Sequence, residues 1–260
     1  MEIAIPLIDN TSVKEFTELL KINKLEAQYR DFTEMLGYVS EIESKLKSAL
    51  GEVNKLEKRV NEMESRQFKN ICVKMVNNLK STLREAQSKL NEIKTAIVEG
   101  VKQALTAFKE KGISALNAVM KFFKIKDGLS ALRDSVDKSI VSANKSIDKI
   151  EQISTEIHAA GNHRRNVFRL IANKETKDDV KTNGKVMKAV QLPFKGARAA
   201  MGGAKKAVDS AAVKLENLDR KVQADKEKKT SLLAEIKNYK PPEKTESGIA
   251  KTKKRDTALE

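Results

Sequence analysis

The sequence is poor in the residues that β-sheet folds, disulfides and metal sites require. Its 260 residues include 4 Pro, 11 Gly, 1 Cys, 2 His and no Trp, and aromatic residues make up only 4%. Sandwiches, barrels and doubly wound sheets need frequent turn residues and strands rich in β-branched or aromatic side chains. We therefore predict an all-α fold. A single cysteine also excludes an internal disulfide and a thiolate metal site.

Two kinds of long apolar segment are missing as well. The first six residues lack the basic stretch and apolar run of a secretory signal, and no run of 18 apolar residues occurs anywhere. We therefore expect no transmembrane segment and a cytoplasmic location.

A seven-residue apolar repeat begins at Leu25 and continues to Met63, with Gln28 and Ala49 as its exceptions. Six such heptads are typical of a coiled coil. The predicted interface consists of Leu25, Phe32, Met35, Val39, Ile42, Leu46, Val53, Leu56, Val60 and Met63. This helix either folds back on the next one or protrudes and mediates self-association or binding of a partner helix. We favour the protruding arrangement.

The rest of the chain carries further helical stripes. Asn10, Thr11 or Ser12 is placed to cap a first short helix. A second long helix, with an apolar stripe over 76–107, is predicted to stop or bend at Gly112.

A largely apolar piece over 113–125 is expected at the centre of the fold, because apolar residues occupy most of its sides. The third long helix is predicted to start after an Asp127-Gly128 turn and to end at Gly161. A short basic amphipathic piece follows it, with Val167, Phe168, Leu170 and Ile171.

The last helical region is predicted to kink or restart at Pro193, and a further short helix is expected over 232–236. The predicted architecture is an elongated helical bundle with long antiparallel helices and an N-terminal coiled-coil segment. Its predicted segments are an N-terminal short helix (1–23), a coiled-coil helix (24–66), a helical bundle region (70–172), a loop (173–184), a basic C-terminal helical region (185–238) and a disordered tail (239–260).

Three segments carry a family resemblance that extends over roughly residues 10–240 in collinear order. They are QYRDFTEMLGYV (28–39), AFKEKGISALN (107–117) and NGKVMKAVQLPF (183–194). The chain resembles a family of all-helical bacterial proteins of unknown function that are found in integrative conjugative elements and related mobile DNA. The resemblance implies a role accessory to conjugation or element maintenance. It implies no activity and no site residues.

The formal charge of +15 is unevenly distributed. It divides into −2 over residues 1–70 (11 basic, 13 acidic), +7 over 71–180 (20 and 13) and +10 over 181–260 (20 and 10). Residues 180–208 contain no acid and seven cations, which are the candidate contacts to nucleic-acid phosphates: Lys181, Lys185, Lys188, Lys195, Arg198, Lys205 and Lys206.

Three interpretations of this segment stay open. Its lysines can solvate the outer face of a bundle helix, bind nucleic acid without sequence specificity, or bind an anionic membrane. The membrane interpretation is the weakest, because alanine and glycine supply little of the bulky apolar face that an interfacial helix needs.

The sequence offers little for catalysis. His158 and His163 are five residues apart, off the i, i+4 spacing that brings two ligands to one helical face, and Cys72 has the setting of a buried thiol. We therefore predict a non-enzymatic scaffold or adaptor without a cofactor or metal, with nonspecific nucleic-acid binding and membrane-surface binding as alternative functions.

Overall fold

A computed structural model describes residues 6–112, 123–177 and 184–238, and the regular structure of these residues is entirely helical. A 3-10 helix, Leu7–Asp9, precedes five α-helices. They are α1 (Thr11–Ile22), α2 (Glu26–Asn61), α3 (Arg66–Lys111), α4 (Phe123–Ile171) and α5 (Lys185–Asn238). The predicted all-α bundle is confirmed.

Helices α2 to α5 form a four-helix bundle in which helices consecutive in the chain are antiparallel neighbours. Lys80 pairs with Glu57 between α3 and α2, and Lys205 pairs with Asp137 between α5 and α4. Helix α5 also packs along α2, and this is the most extensive of the helix–helix contacts. The last long helix therefore closes the bundle against the first. The short α1 packs on α2 and α3.

The helix starts follow from local chemistry where the sequence supplies a cap. The Asn10 side-chain oxygen accepts hydrogen bonds from the backbone N–H groups of Ser12 (3.1 Å) and Val13 (3.4 Å), which identifies Asn10 as the cap of α1. At the C-terminal end of α3, Gly112 adopts a positive φ of 66°, which is consistent with the predicted helix stop at this glycine.

The heptad stripe of α2 is part of the internal core. Eight of its ten predicted interface residues are buried, and Leu25 and Met63 are partly buried against the same core. The expectation that this helix protrudes is therefore wrong. The stripes of α3 and α5 have nearly the same seven-residue period and pack on α2 within one chain. This packing avoids the loss of translational freedom that a separate partner would suffer.

Small residues on α5 let α2 approach closely. The two helices run antiparallel. Glu52 lies opposite Gly196, and seven residues away on each helix Lys45 lies opposite Gly203. A Cβ atom on Gly196 would lie 3.1 Å from Glu52 Cγ, and one on Gly203 would lie 3.1 Å from Lys45 Cε. The side chains of Glu52 and Lys45 thus occupy the space that a larger residue on α5 would fill.

Pro193 lies inside α5 rather than at a break. A proline has no N–H to donate to the carbonyl four residues earlier, which here belongs to Ala189. The Arg59 guanidinium of α2 donates to that carbonyl oxygen at 2.7 Å. Helix α2 thus supplies the hydrogen bond that Pro193 removes, and the predicted restart at this position is not observed.

Two glycines that were predicted to mark helix boundaries also lie inside a helix. Asp127 and Gly128 belong to α4, and a Cβ on Gly128 would lie only 2.8 Å from Ile93 Cγ1 of α3. Gly128 therefore serves close packing of α3 and α4 instead of a turn. Helix α4 also passes through Gly161 and ends ten residues later, because a glycine weakens a helix by only about 1 kcal/mol.

The predicted short helix over 232–236 is also incorrect as a separate element, since α5 continues to Asn238. Most of the apolar piece 113–125, and the predicted tail 239–260, lie outside the described residues.

Truncating Leu46 tests whether the heptad stripe is internal. Leu46→Ala should lower the free energy of unfolding by about 2–5 kcal/mol, because it leaves a cavity among buried side chains. Chemical denaturation followed by circular dichroism measures this change. The neighbouring exposed residue supplies the control, and Lys47→Ala should change stability by less than about 0.5 kcal/mol. A Leu46→Ala variant of unchanged stability but reduced oligomeric mass would restore the protruding arrangement.

The adjacent glycines of α5 test the close approach of α2. Gly203→Leu should destabilise the bundle by about 1–3 kcal/mol, because its side chain must displace the Lys45 side chain from its packing against α5. A Cβ on Gly202 meets nothing within 4 Å, so Gly202→Leu should stabilise the helix by up to about 1 kcal/mol. Thermal unfolding of both variants measures the difference. Equal effects at the two positions would contradict the observed packing.

Candidate interaction surface

Three cations of the acid-free basic segment of α5 lie against polar or acidic side chains of α4. Lys205 contacts both carboxylate oxygens of Asp137 at 2.7 and 2.9 Å. Lys195 lies 3.9 Å from Glu151, and Arg198 donates to the Asn144 side-chain oxygen at 3.3 Å. These three side chains therefore contact α4.

The remaining predicted phosphate contacts are exposed or lie outside the described residues. Lys188 and Lys206 are exposed, whereas Lys181 and the side chain of Lys185 lie outside the described residues. Gly196 and Gly203 of this segment face α2. The described part of the segment therefore packs against α2 and α4 more than it forms an open face for phosphate groups.

Beyond this segment, helix α4 extends past the helices that flank it. Its pairing with α5 runs at a constant offset, from Lys126 with Glu216 to Asn144 with Arg198, which places the start of α5 beside residue 157. Its pairing with α3, through Asn78 and Ser142, places the start of α3 at nearly the same level. The last 14 residues of α4 therefore project beyond the bundle by about 21 Å.

We call residues 157–177 the α4 tip, and hydrogen bonds define its end. Asn173 has a positive φ of 53°, and the N–H groups of Asn173 and Lys174 donate to the carbonyls of Leu170 and Arg169 at 3.0 and 2.8 Å. This is the Schellman arrangement that ends many helices. Arg169 Nε also donates to the Glu175 carbonyl at 2.7 Å. The residues after the helix are thus held against it.

Large apolar side chains are exposed on the α4 tip. All five of its large aliphatic and aromatic residues have more than half of their surface accessible: Ile157 (54%), Val167 (54%), Phe168 (61%), Leu170 (60%) and Ile171 (76%). Val186 (66%), in the first turn of α5, lies at the same end of the bundle. Exposed apolar residues concentrated in one place mark interaction sites, whereas isolated ones carry no such meaning.

Cations accompany this apolar surface. Arg164 and Arg165 are exposed in the middle of the α4 tip, as are Lys174 and Lys177 after the helix. Residues 157–177 contain five Lys and Arg against one Glu, a formal charge of +4. The end of the bundle is therefore both apolar and basic.

The sequence pattern revealed the composition of this surface but not its exposure. It identified the basic amphipathic piece with Val167, Phe168, Leu170 and Ile171, but as a separate element after the third long helix. Because a helix break was predicted at Gly161, the sequence did not show that the residues before and after Gly161 belong to one helix, which extends beyond its neighbours. The i, i+3 and i+4 spacing of Val167, Leu170 and Ile171 was the available signal.

The groups with reactive potential lie apart from one another. Cys72 is fully buried, and burial raises the pKa of its thiol to about 11. His163 is exposed and His158 is half-buried near Gly184. Within residues 6–112, 123–177 and 184–238, no three His, Cys, Asp or Glu side chains come close enough together to hold a metal ion.

A groove of about 720 Å³, open to solvent, runs between α3 and α4. Glu92, Glu99 and Asp127 are the ionisable side chains among its described lining residues. The described lining also includes the hydroxyl groups of Ser88 and Thr95 but no His, Cys or Lys. None of the described helices combines the length and apolarity needed to cross a membrane.

Comparison with known proteins gives one match. A family model described as a family of unknown function (DUF6674) matches residues 9–258. No curated protein and no solved structure matches the chain significantly.

Thiol labelling tests the assignment of Cys72 as an unreactive core residue. A pH of 7.5 is far below the thiol's pKa of about 11, so the thiol is protonated, and it is also buried. Maleimide should therefore label it only as fast as the bundle opens. Mass spectrometry of a Val141→Cys variant follows both sites in one molecule, and the cysteine at position 141, exposed in mid-α4, should react rapidly. Equally rapid labelling of Cys72 in the folded protein would indicate an activated thiol instead.

Proposed function

The chain belongs to this family of unknown function, and we propose from its geometry that it is a non-enzymatic helical adaptor that docks through the α4 tip. The observation that carries the proposal is the exposure of five large apolar side chains on a helix that projects beyond its own bundle. A solvent-exposed surface of this kind costs free energy unless a partner covers it.

The rest of the structure suits a rigid support for such a surface. The apolar stripes of α2 to α5 form one continuous core. Ion pairs along the outer seams join the helices, as between Lys94 and Glu43 and between Arg133 and Asp209. The long bundle thus holds the α4 tip at a defined position, as an adaptor requires.

The absence of a convergent set of reactive side chains in the described groove supports a non-catalytic role. The cytoplasm remains our proposed compartment. The resemblance to proteins of integrative conjugative elements supports an accessory role in a mobile element, and the adaptor is proposed to act there.

A nucleic-acid role through residues 180–208 has less support. Phosphate contacts by Lys195, Arg198 and Lys205 would have to replace their present contacts with α4. The exposed cations Lys188 and Lys206 are separated by five helical turns.

Site-specific photo-crosslinking tests the proposed docking surface. A benzophenone amino acid in place of Phe168 should form adducts in the cells that express the protein, because this position is expected to lie within a contact. The control replaces Val141, which is also exposed on α4 but lies along the middle of the bundle. Adducts at position 168 alone support the proposal. Equal or absent crosslinking at the two positions would contradict it.

A further inference from the structure

The apolar side chains of the α4 tip cover a broad arc of the helix. Val167, Leu170 and Ile171 follow i, i+3 and i+4 spacing, and Phe168 widens the arc on the other side of Ile171. An apolar helix face that enters a groove on another protein is usually a narrow stripe of anchors. A broad and convex apolar surface fits a fluid apolar phase better than a groove of fixed width.

The position of one arginine supports the same choice. Arg164 precedes Phe168 by four residues and Ile171 by seven, so it lies on the apolar side of the helix. In a protein groove its charge would need a buried carboxylate partner. At a lipid surface, an arginine extends its charged end to the headgroups while its aliphatic part stays among apolar groups.

The other cations complete the pattern of an interfacial helix. Arg165 and Arg169 are four residues apart on the side of the helix away from Leu170, and Lys174 and Lys177 follow at its end. Nucleic acid is a poorer fit, because bases stack on aromatic side chains and Phe168 is the single aromatic residue of the α4 tip.

We propose that the α4 tip binds an anionic membrane surface, with Phe168 and its aliphatic neighbours at the boundary between headgroups and acyl chains and the bundle outside the bilayer. The proposal rests on the proposed function, since it identifies what the docking surface binds. Bulky apolar residues combined with Lys and Arg are what interfacial binding requires. In the 180–208 segment, which prompted the earlier membrane interpretation, the bulky side chains of Val190, Phe194 and Met201 are buried in the bundle core.

Flotation of the full chain with lipid vesicles tests this inference. The protein should float with vesicles of equal parts phosphatidylglycerol and phosphatidylcholine and stay in solution with pure phosphatidylcholine, because the cations need an anionic surface. Raising the salt from low to high concentration should weaken binding. Failure to float with the anionic vesicles at low salt would overturn the proposal.

Paired substitutions separate the apolar and the charged contributions. Phe168→Ser with Ile171→Ser should weaken binding at least roughly tenfold, because their exposed side chains are then unable to enter the acyl boundary. Arg164→Gln with Arg165→Gln should weaken it roughly twenty-fivefold, at about fivefold for each cation near an anionic surface. Thermal unfolding should be unchanged in both variants.

The matched control is Val141→Ser with Val213→Ser, which removes exposed apolar residues from the sides of the bundle and should leave binding unchanged. An equal loss in this control would contradict docking through the α4 tip. If the arginine substitutions weaken vesicle binding and the Phe168 and Ile171 substitutions do not, insertion of apolar side chains would be overturned. Binding would then be purely electrostatic.

The two proposals fail differently. Crosslinking of position 168 to a protein, with no flotation, would leave the adaptor function standing and overturn the membrane inference. Crosslinking to lipid together with flotation supports both proposals. Absence of both results would overturn both.

Discussion

The contact between α2 and α5 is the constraint on which the rest of the structure depends. It joins the first and last long helices of the chain, and without it the bundle would leave two apolar stripes exposed to water. Two features of α5 permit the contact. Gly196 and Gly203 leave room for α2, and the Ala189 carbonyl freed by Pro193 receives a hydrogen bond from Arg59. Residues that would weaken an isolated helix thus serve its packing.

The antiparallel pairing of α5 with α4 brings opposite charges together that are far apart in the sequence. Residues 180–208 contain no acid, yet the bundle places Lys205 against Asp137 and Lys195 against Glu151 of the neighbouring helix. Charge balance therefore occurs between helices rather than along one. The cations at the C-terminal end of α4 have fewer acidic neighbours, because that helix extends beyond α3 and α5. Helix length thus decides where basic and apolar groups remain exposed.

Local signals in the sequence predicted helices and core positions well, but they predicted boundaries poorly. The heptad positions from Phe32 to Val60 are core residues, and the helix ends at Gly112 as expected. Gly128, Gly161 and Pro193 lie within helices, because the local cost of a glycine or proline was outweighed by packing against a neighbour or by continuation of a long helix. The protruding coil failed for a related reason, since periodicity identifies an apolar face without identifying what covers it.

By itself, the sequence determined the all-helical class, the apolar stripes and the total charge, because each depends on residue type and short-range spacing. The candidate surface was visible only as a basic amphipathic piece around Phe168. The tertiary structure decided that the α2 stripe is internal, that α5 closes the bundle and that the α4 tip is exposed. These outcomes depend on the relative offsets and lengths of four helices, which are set by long-range packing and carry no local signal.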